Sequence, residues 1–136
     1  MDDHGMKLEG TMMEALGMEF VETRPDRVVV RMPVGPKVRQ PFGLLHGGAS
    51  VALAETAASF GTALNVDLST HWPVGSEITA SHLRSVREGH VVAVATALHK
   101  GRTSMVWQIR VESEADQKLL CLAQCRVTIV ERRDGA

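Results

Sequence analysis

The sequence predicts an α+β domain, an antiparallel sheet with one long helix on its face. Three observations carry this. From about Gly47 to Leu64 the chain is rich in alanine, free of proline and apolar nearly all round, which fits a helix that is packed or wrapped. Beyond the loop VDLSTHWPVGSE almost every segment reads as extended. Those segments are joined by short turns, which favour antiparallel neighbours, and a single helix on such a sheet is an α+β arrangement.

The elements follow in order. Leu8 to Leu16 suits a short helix with Met12, Met13 and Leu16 on its apolar side. MEFVET and DRVVVRM, separated by Arg24-Pro25, read as strand, turn and strand. Met32 to Gln40, with two prolines and a glycine, reads as a loop. The long helix ends near Asn65, a suitable C-cap. Then come SEITASHLRSVRE, a turn at Glu88-Gly89, HVVAVATALHK, a turn at Gly101-Arg102, TSMVWQIRVES, the acidic turn EADQ, KLLCLAQCRVTIVE and a polar tail. Met105, Trp107, Ile109 and Val111 alternate with polar residues, and Leu119, Cys121, Ala123, Cys125, Val127 and Ile129 share one face. HVVAVATALHK is apolar on both faces, which predicts cover from the helix on one side and another subunit on the other.

Composition bounds the function. A chain of 136 residues is one domain able to bury roughly two-thirds of the surface its unfolded form exposes. The apolar share of 44%, the charged share of 23% and a net charge of -1 describe an ordinary globular protein, with no electrostatic reason to expect nucleic acid or anionic membrane as partner. The start MDDHGMKLEG lacks the pattern of a secretory signal, and no apolar run approaches the ~18 residues of a membrane span, so the cytoplasm is the expected location. Cys121 and Cys125 lie four residues apart on one strand, about 13 Å, too far for a disulfide. They are expected as buried thiols, with no metal site and no cofactor.

Chemistry concentrates in QPFGLLHGGASVALAETAAS, Gln40 to Ser59. Glu55 is the only Asp, Glu, Lys or Arg between Arg39 and Asp67. A carboxylate on an apolar helix can act as general base or nucleophile, although a helix face reaching water or a buried salt bridge would also accommodate one. Ser59, one turn on, shares its face and could orient it. His46-Gly47-Gly48 stands at the helix entrance, where unpaired N–H groups and the helix dipole favour developing negative charge. His46 and Glu55 are nine residues apart, about 13.5 Å along a helix and about 180° around it. A shared site therefore requires two copies, one supplying the entrance and the other Glu55.

This segment resembles the active-site region of hotdog-fold acyl-CoA thioesterases of the PaaI-like group, which includes 4-hydroxybenzoyl-CoA and 1,4-dihydroxy-2-naphthoyl-CoA thioesterases. The resemblance runs from about Leu16 to Glu131. It implies five or six antiparallel strands wrapped around one long helix, in dimers that pair into homotetramers. It also implies roles by position. The Gly47 N–H would bind the thioester oxygen, and Glu55 of the partner chain would attack the carbonyl carbon or activate water. Gln40 and His46 would position the carbonyl, the water or the leaving thiol, and Ser59 would support the carboxylate or the acyl group. The phosphates of coenzyme A would meet His82 and Arg84 of SHLRS and Lys100, Gly101, Arg102, Thr103 and Ser104 of the next turn, where a glycine beside Arg, Thr and Ser suits phosphate. His71, Trp72 and Pro73 are placed in the loop after the helix, as packing residues or substrate contacts. Val51, Ala52, Ala58 and Phe60 could line an acyl pocket. Two alternatives stand beside hydrolysis: a hotdog dehydratase or hydratase, and a non-catalytic acyl-CoA-binding protein.

Overall fold

The computed structural model describes residues 6–133, so the first five residues of the start and the last three of the tail lie outside it. α1 (Met12–Ala15) is a single turn capped by Thr11, shorter than the apolar spacing suggested. β1 (Glu19–Arg24) and β2 (Arg27–Pro33) form an antiparallel hairpin. After a 3-10 turn at Pro36–Val38 comes α2 (Gly47–Ala63), followed by β3 (His71–His82), β4 (His90–Lys100), β5 (Ser104–Ser113) and β6 (Leu119–Glu131). The six strands form one antiparallel sheet in the order β1-β2-β4-β5-β6-β3, with α2 against its inner face.

Two expectations need correction. VDLSTHWPVGSE is only partly a loop, because β3 already begins at His71. Pro73 and Gly75 read as strand breakers, but β3 is an edge strand, where proline is tolerated, and Gly75 opens a bulge. In addition, β3 does not lie beside β4. It pairs with β6, and residues 83–89 carry the chain back to the side of β2. That connection is tied down along its length. Leu83 N–H donates to Leu120 O at 2.7 Å, Val86 O accepts from Leu45 N–H at 2.9 Å, and Gly89 O accepts from Val34 N–H at 2.8 Å. It thereby holds the loop that leads into α2.

Small residues let α2 lie close to the sheet. Leu53, Ala54, Ala57, Ala58 and Gly61 are buried against Val28, Val30, Ala93, Ile109 and Cys125, among others. A leucine such as Leu53, fully enclosed, contributes about 1.5–3 kcal/mol of burial. The approach is very tight at Gly61, where an added Cβ would lie 2.4 Å from the Trp107 ring. Trp107 is fully buried, and its indole N–H donates to Thr62 Oγ at 3.0 Å. The helix ends with Leu64 as C-cap, while the Asn65 amide donates to Gly61 O and Pro25 O, both at 2.8 Å. Val91, Ala93 and Ala95 of β4 are buried on the helix side, whereas Val92 and Val94 on the other side are only half-buried.

Candidate active site

The loop before α2 shapes its own polar groups. Gln40 Oε1 accepts from Phe42 N–H at 2.6 Å and Leu44 N–H at 3.2 Å, which leaves the Nε2 end without a partner among the described residues. His46 is the N-cap of α2, and its Nδ1 accepts from Gly48 N–H at 2.8 Å. An accepting Nδ1 places the ring proton of the neutral imidazole on Nε2. Ala49 N–H and Ser50 N–H both reach His46 O, at 3.0 and 3.3 Å. The first turn of a helix offers four donors with no helical acceptor. Here His46 N–H reaches Val38 O at 2.7 Å and those of Gly48 and Ala49 are paired as above, so Gly47 N–H alone lacks an acceptor among the described residues.

His82, the last residue of β3, joins this entrance. A Cβ on Gly47 would lie 3.0 Å from His82 Nε2, so the imidazole rests against the Gly47 backbone. His46, Gly47 and His82 are thus brought together in one chain. Arg84, just beyond, is exposed, with its N–H 3.3 Å from Leu120 O.

Glu55 sits eight positions after Gly47, about 12 Å along the helix. It is half-buried and lines a cavity of about 480 Å³ with Ser59, Val51, Ala52, Phe60 and Pro73. Its carboxylate has no hydrogen bond or ion pair among the described residues, nor does the Ser59 hydroxyl have a partner there. Thr56, on the same wall, spends its hydroxyl on Ala52 O at 2.7 Å. Below Glu55, burial pushes the Cys125 thiol up to about 11, and the Glu55 charge adds to the shift. Both cysteines are free and buried, as expected.

The remaining predicted residues lie elsewhere. Gly101 to Ser104 form the β4–β5 turn, with Gly101 N–H on Ser104 O at 2.8 Å and Arg102 and Thr103 exposed. Ser104 is in register with Thr128 of β6, whereas His82 is in register with Cys121. Seven residues of strand separate these levels, roughly 23 Å. Within one chain, His82 and Arg84 therefore do not meet the Gly101 to Ser104 turn. Of the three residues placed after the helix, Pro73 lines the cavity, Trp72 is exposed beneath the Arg132 guanidinium, and His71 Nδ1 pairs with Thr70 Oγ1. Ala58 is buried in the core rather than lining the cavity.

Sequence reasoning missed Met6, Met12 and Met13 as cavity walls, and it missed Gly75. A glycine inside a strand pattern signals a bulge or close approach, which is the signal that could have found it. Among the described residues there is no group of three or more His, Cys, Asp or Glu able to hold a metal, and no helix is long and apolar enough to cross a membrane.

Comparison with known proteins decides the family. The thioesterase superfamily model matches residues 42–120, spanning the α2 entrance, Glu55 and strands β3 to β5. The chain belongs to the thioesterase superfamily. It is a thioester hydrolase with the helix-on-sheet architecture expected of that family. It is similar to ComA2 of Bacillus subtilis, at 47% identity over 93% of this chain and 100% of that one. It is also similar to the 1,4-dihydroxy-2-naphthoyl-CoA hydrolase of Listeria monocytogenes, at 42% identity over 90% and 98%. Among solved structures, thioesterase PA1618 of Pseudomonas aeruginosa superposes with a TM-score of 0.86 at 41% identity, covering 90% of this chain and 88% of that one.

Proposed function

We propose that the protein hydrolyses acyl-CoA thioesters, with an aromatic or medium acyl group, to the free acid and coenzyme A. One observation carries the reading: Glu55 is a carboxylate without a partner among the described residues, on the wall of a largely apolar cavity. Glu55 removes a proton from water as its oxygen attacks the carbonyl carbon, or attacks that carbon itself to give an anhydride that water then opens. The carbonyl electrons move onto oxygen, which accepts hydrogen bonds from Gly47 N–H and Gln40 Nε2. Collapse re-forms the carbonyl and expels the thiolate, which accepts a hydrogen bond from His46 Nε2–H and takes its proton from the Glu55 carboxyl or, on the anhydride route, from water.

The 12 Å between Gly47 and Glu55 supports a site shared by two copies, Glu55 coming from one and the entrance from the other. β3 has only one strand neighbour and is 12 residues long, which leaves an edge for a second copy. Pairing of such dimers into tetramers fits the half-buried outer side of β4. His82 belongs beside the thioester because it rests on Gly47. The exposed turn at Lys100 to Ser104 is left as the phosphate contact, reached from another copy. The cavity of about 480 Å³ with its methionine walls suits an acyl group, and methionine adapts to varied shapes. The reading places the enzyme in the cytoplasm and has it act without a cofactor.

The test is release of free thiol from benzoyl-CoA and an aliphatic acyl-CoA by the wild type and by Glu55→Gln. The expected loss is about 10²–10⁴-fold in kcat. Undiminished release by Glu55→Gln would remove Glu55 from the mechanism. Saturable binding without release would favour a binding protein, and conversion of a 3-hydroxyacyl-CoA to its enoyl product would favour a dehydratase.

A further inference from the structure

We infer that Gly75 is a positioning residue for Glu55, aiming the carboxylate by the absence of a side chain. The inference rests on the reading of Glu55 given above. A Cβ built on Gly75 would lie 2.2 Å from Glu55 Oε2, 2.9 Å from Cδ and 3.3 Å from Cγ. No real Cβ tolerates the first two, so Glu55 keeps this conformation only over a glycine. Nothing else among the described residues holds the carboxylate. It accepts no hydrogen bond and faces no cation there, so the Gly75 backbone it rests on defines where its oxygens sit.

That stretch of backbone is shaped by a bulge. Pairing of β3 with β6 shifts register between Gly75 and Glu77, so Ser76 is the extra residue. Ser76 Oγ donates to Arg126 O at 3.1 Å and accepts from Thr128 Oγ1 at 2.8 Å, which pins the bulge from the outer side. Before the bulge His71, Pro73 and Gly75 face the helix, and after it Ile78 and Ala80 do so, with Ser76 and Glu77 both exposed. A regular strand would reverse this pattern beyond Gly75 and turn Ile78 out. The bulge therefore sets Gly75 under Glu55 while still directing His82 to Gly47. One irregularity of the backbone serves both halves of the chemistry.

The experiment is a cycle of Gly75→Ala, Glu55→Gln, Glu55→Ala and the Gly75→Ala/Glu55→Ala double variant, read by kcat, KM and thermal melting of the full chain. A displacement of the reacting group by about 1 Å costs roughly 10²-fold, so Gly75→Ala is expected to lower kcat by about that factor with KM held. The double variant is expected to be no slower than Glu55→Ala, because both changes act through one carboxylate. Should Gly75→Ala melt early, the cause is the clash itself, and the double variant regains the lost melting temperature. Wild-type kcat in Gly75→Ala, or early melting that removal of Glu55 fails to repair, overturns the inference. If Glu55→Gln keeps full activity, the reading of Glu55 falls instead, so the two failures are distinguishable.

Discussion

Two glycines lie where α2 packs on the sheet, and their neighbours differ. At Gly61, on the helix, the missing side chain admits Trp107, which is fully buried and has its N–H satisfied by Thr62. At Gly75, on the sheet, the missing side chain admits Glu55, which is half-buried, charged and without a partner among the described residues. The first contact closes a core, since an apolar ring and a paired donor both gain from burial. The second gains nothing of that kind, because a partly desolvated carboxylate without hydrogen bonds is a cost to stability. Close approach by way of glycine is thus used once to finish the fold and once to keep a reactive group exposed to a cavity.

Substitutions can sharpen or break this contrast. The largest effect is expected at the helix entrance. Gly47→Pro removes the unused N–H, and proline suits the first helical position after His46, whose ψ of 130 is extended. Gly47→Ala controls for the new atom against His82. Steady-state kinetics should show Gly47→Pro about 10²–10³-fold below Gly47→Ala in kcat, the worth of one oxyanion donor. Equal rates would leave the entrance with no more chemistry than any helix start.

A smaller effect separates the two glycine contacts by stability. Thr62→Val leaves the Trp107 N–H buried without its acceptor, and urea unfolding should show a loss of about 1–3 kcal/mol. Glu55→Gln should lose no stability, because it removes a charge that nothing pairs. A Glu55→Gln variant as destabilised as Thr62→Val would make Glu55 a structural residue after all.

The smallest effect is one of pH. Cys125 titrates from 9.0 in the ordinary case and near 11 here, raised first by burial and then by Glu55. The folded chain holds this proton more tightly than the unfolded chain. Its contribution to stability is complete below 9.0 and is lost as pH rises toward 11, with Cys121 acting in the same direction. Melting temperature followed across this window should fall less steeply in Cys125→Ala. It should also fall less steeply in Glu55→Gln, where the second cause is gone.

Much of this was legible beforehand. The period-2 faces of β5 and β6 predicted the buried Trp107, Ile109, Cys121 and Cys125, because a sheet with one face on a helix imposes strict alternation. The isolation of Glu55 in an apolar helix singled out a residue that lines the cavity. The placement of β3 was not legible, since strand order depends on a connection, residues 83–89, whose bonds reach Val34, Leu45 and Leu120 far along the chain. The role of Gly75 was hidden for the same reason: its partner is 20 positions away on another element. His82 was read with the phosphate contacts because it is near Arg84 in sequence, whereas β3 delivers it to the helix entrance.

The central claim is that one copy's Glu55 serves the helix entrance of another. Equal amounts of Glu55→Gln and Gly47→Pro, each inactive alone, can be unfolded together, refolded and assayed for thiol release from an acyl-CoA. Random pairing makes half of the dimers mixed, each with one intact site of two, so about a quarter of wild-type activity should return. Activity no greater than the sum of the two variants assayed apart would contradict a shared site.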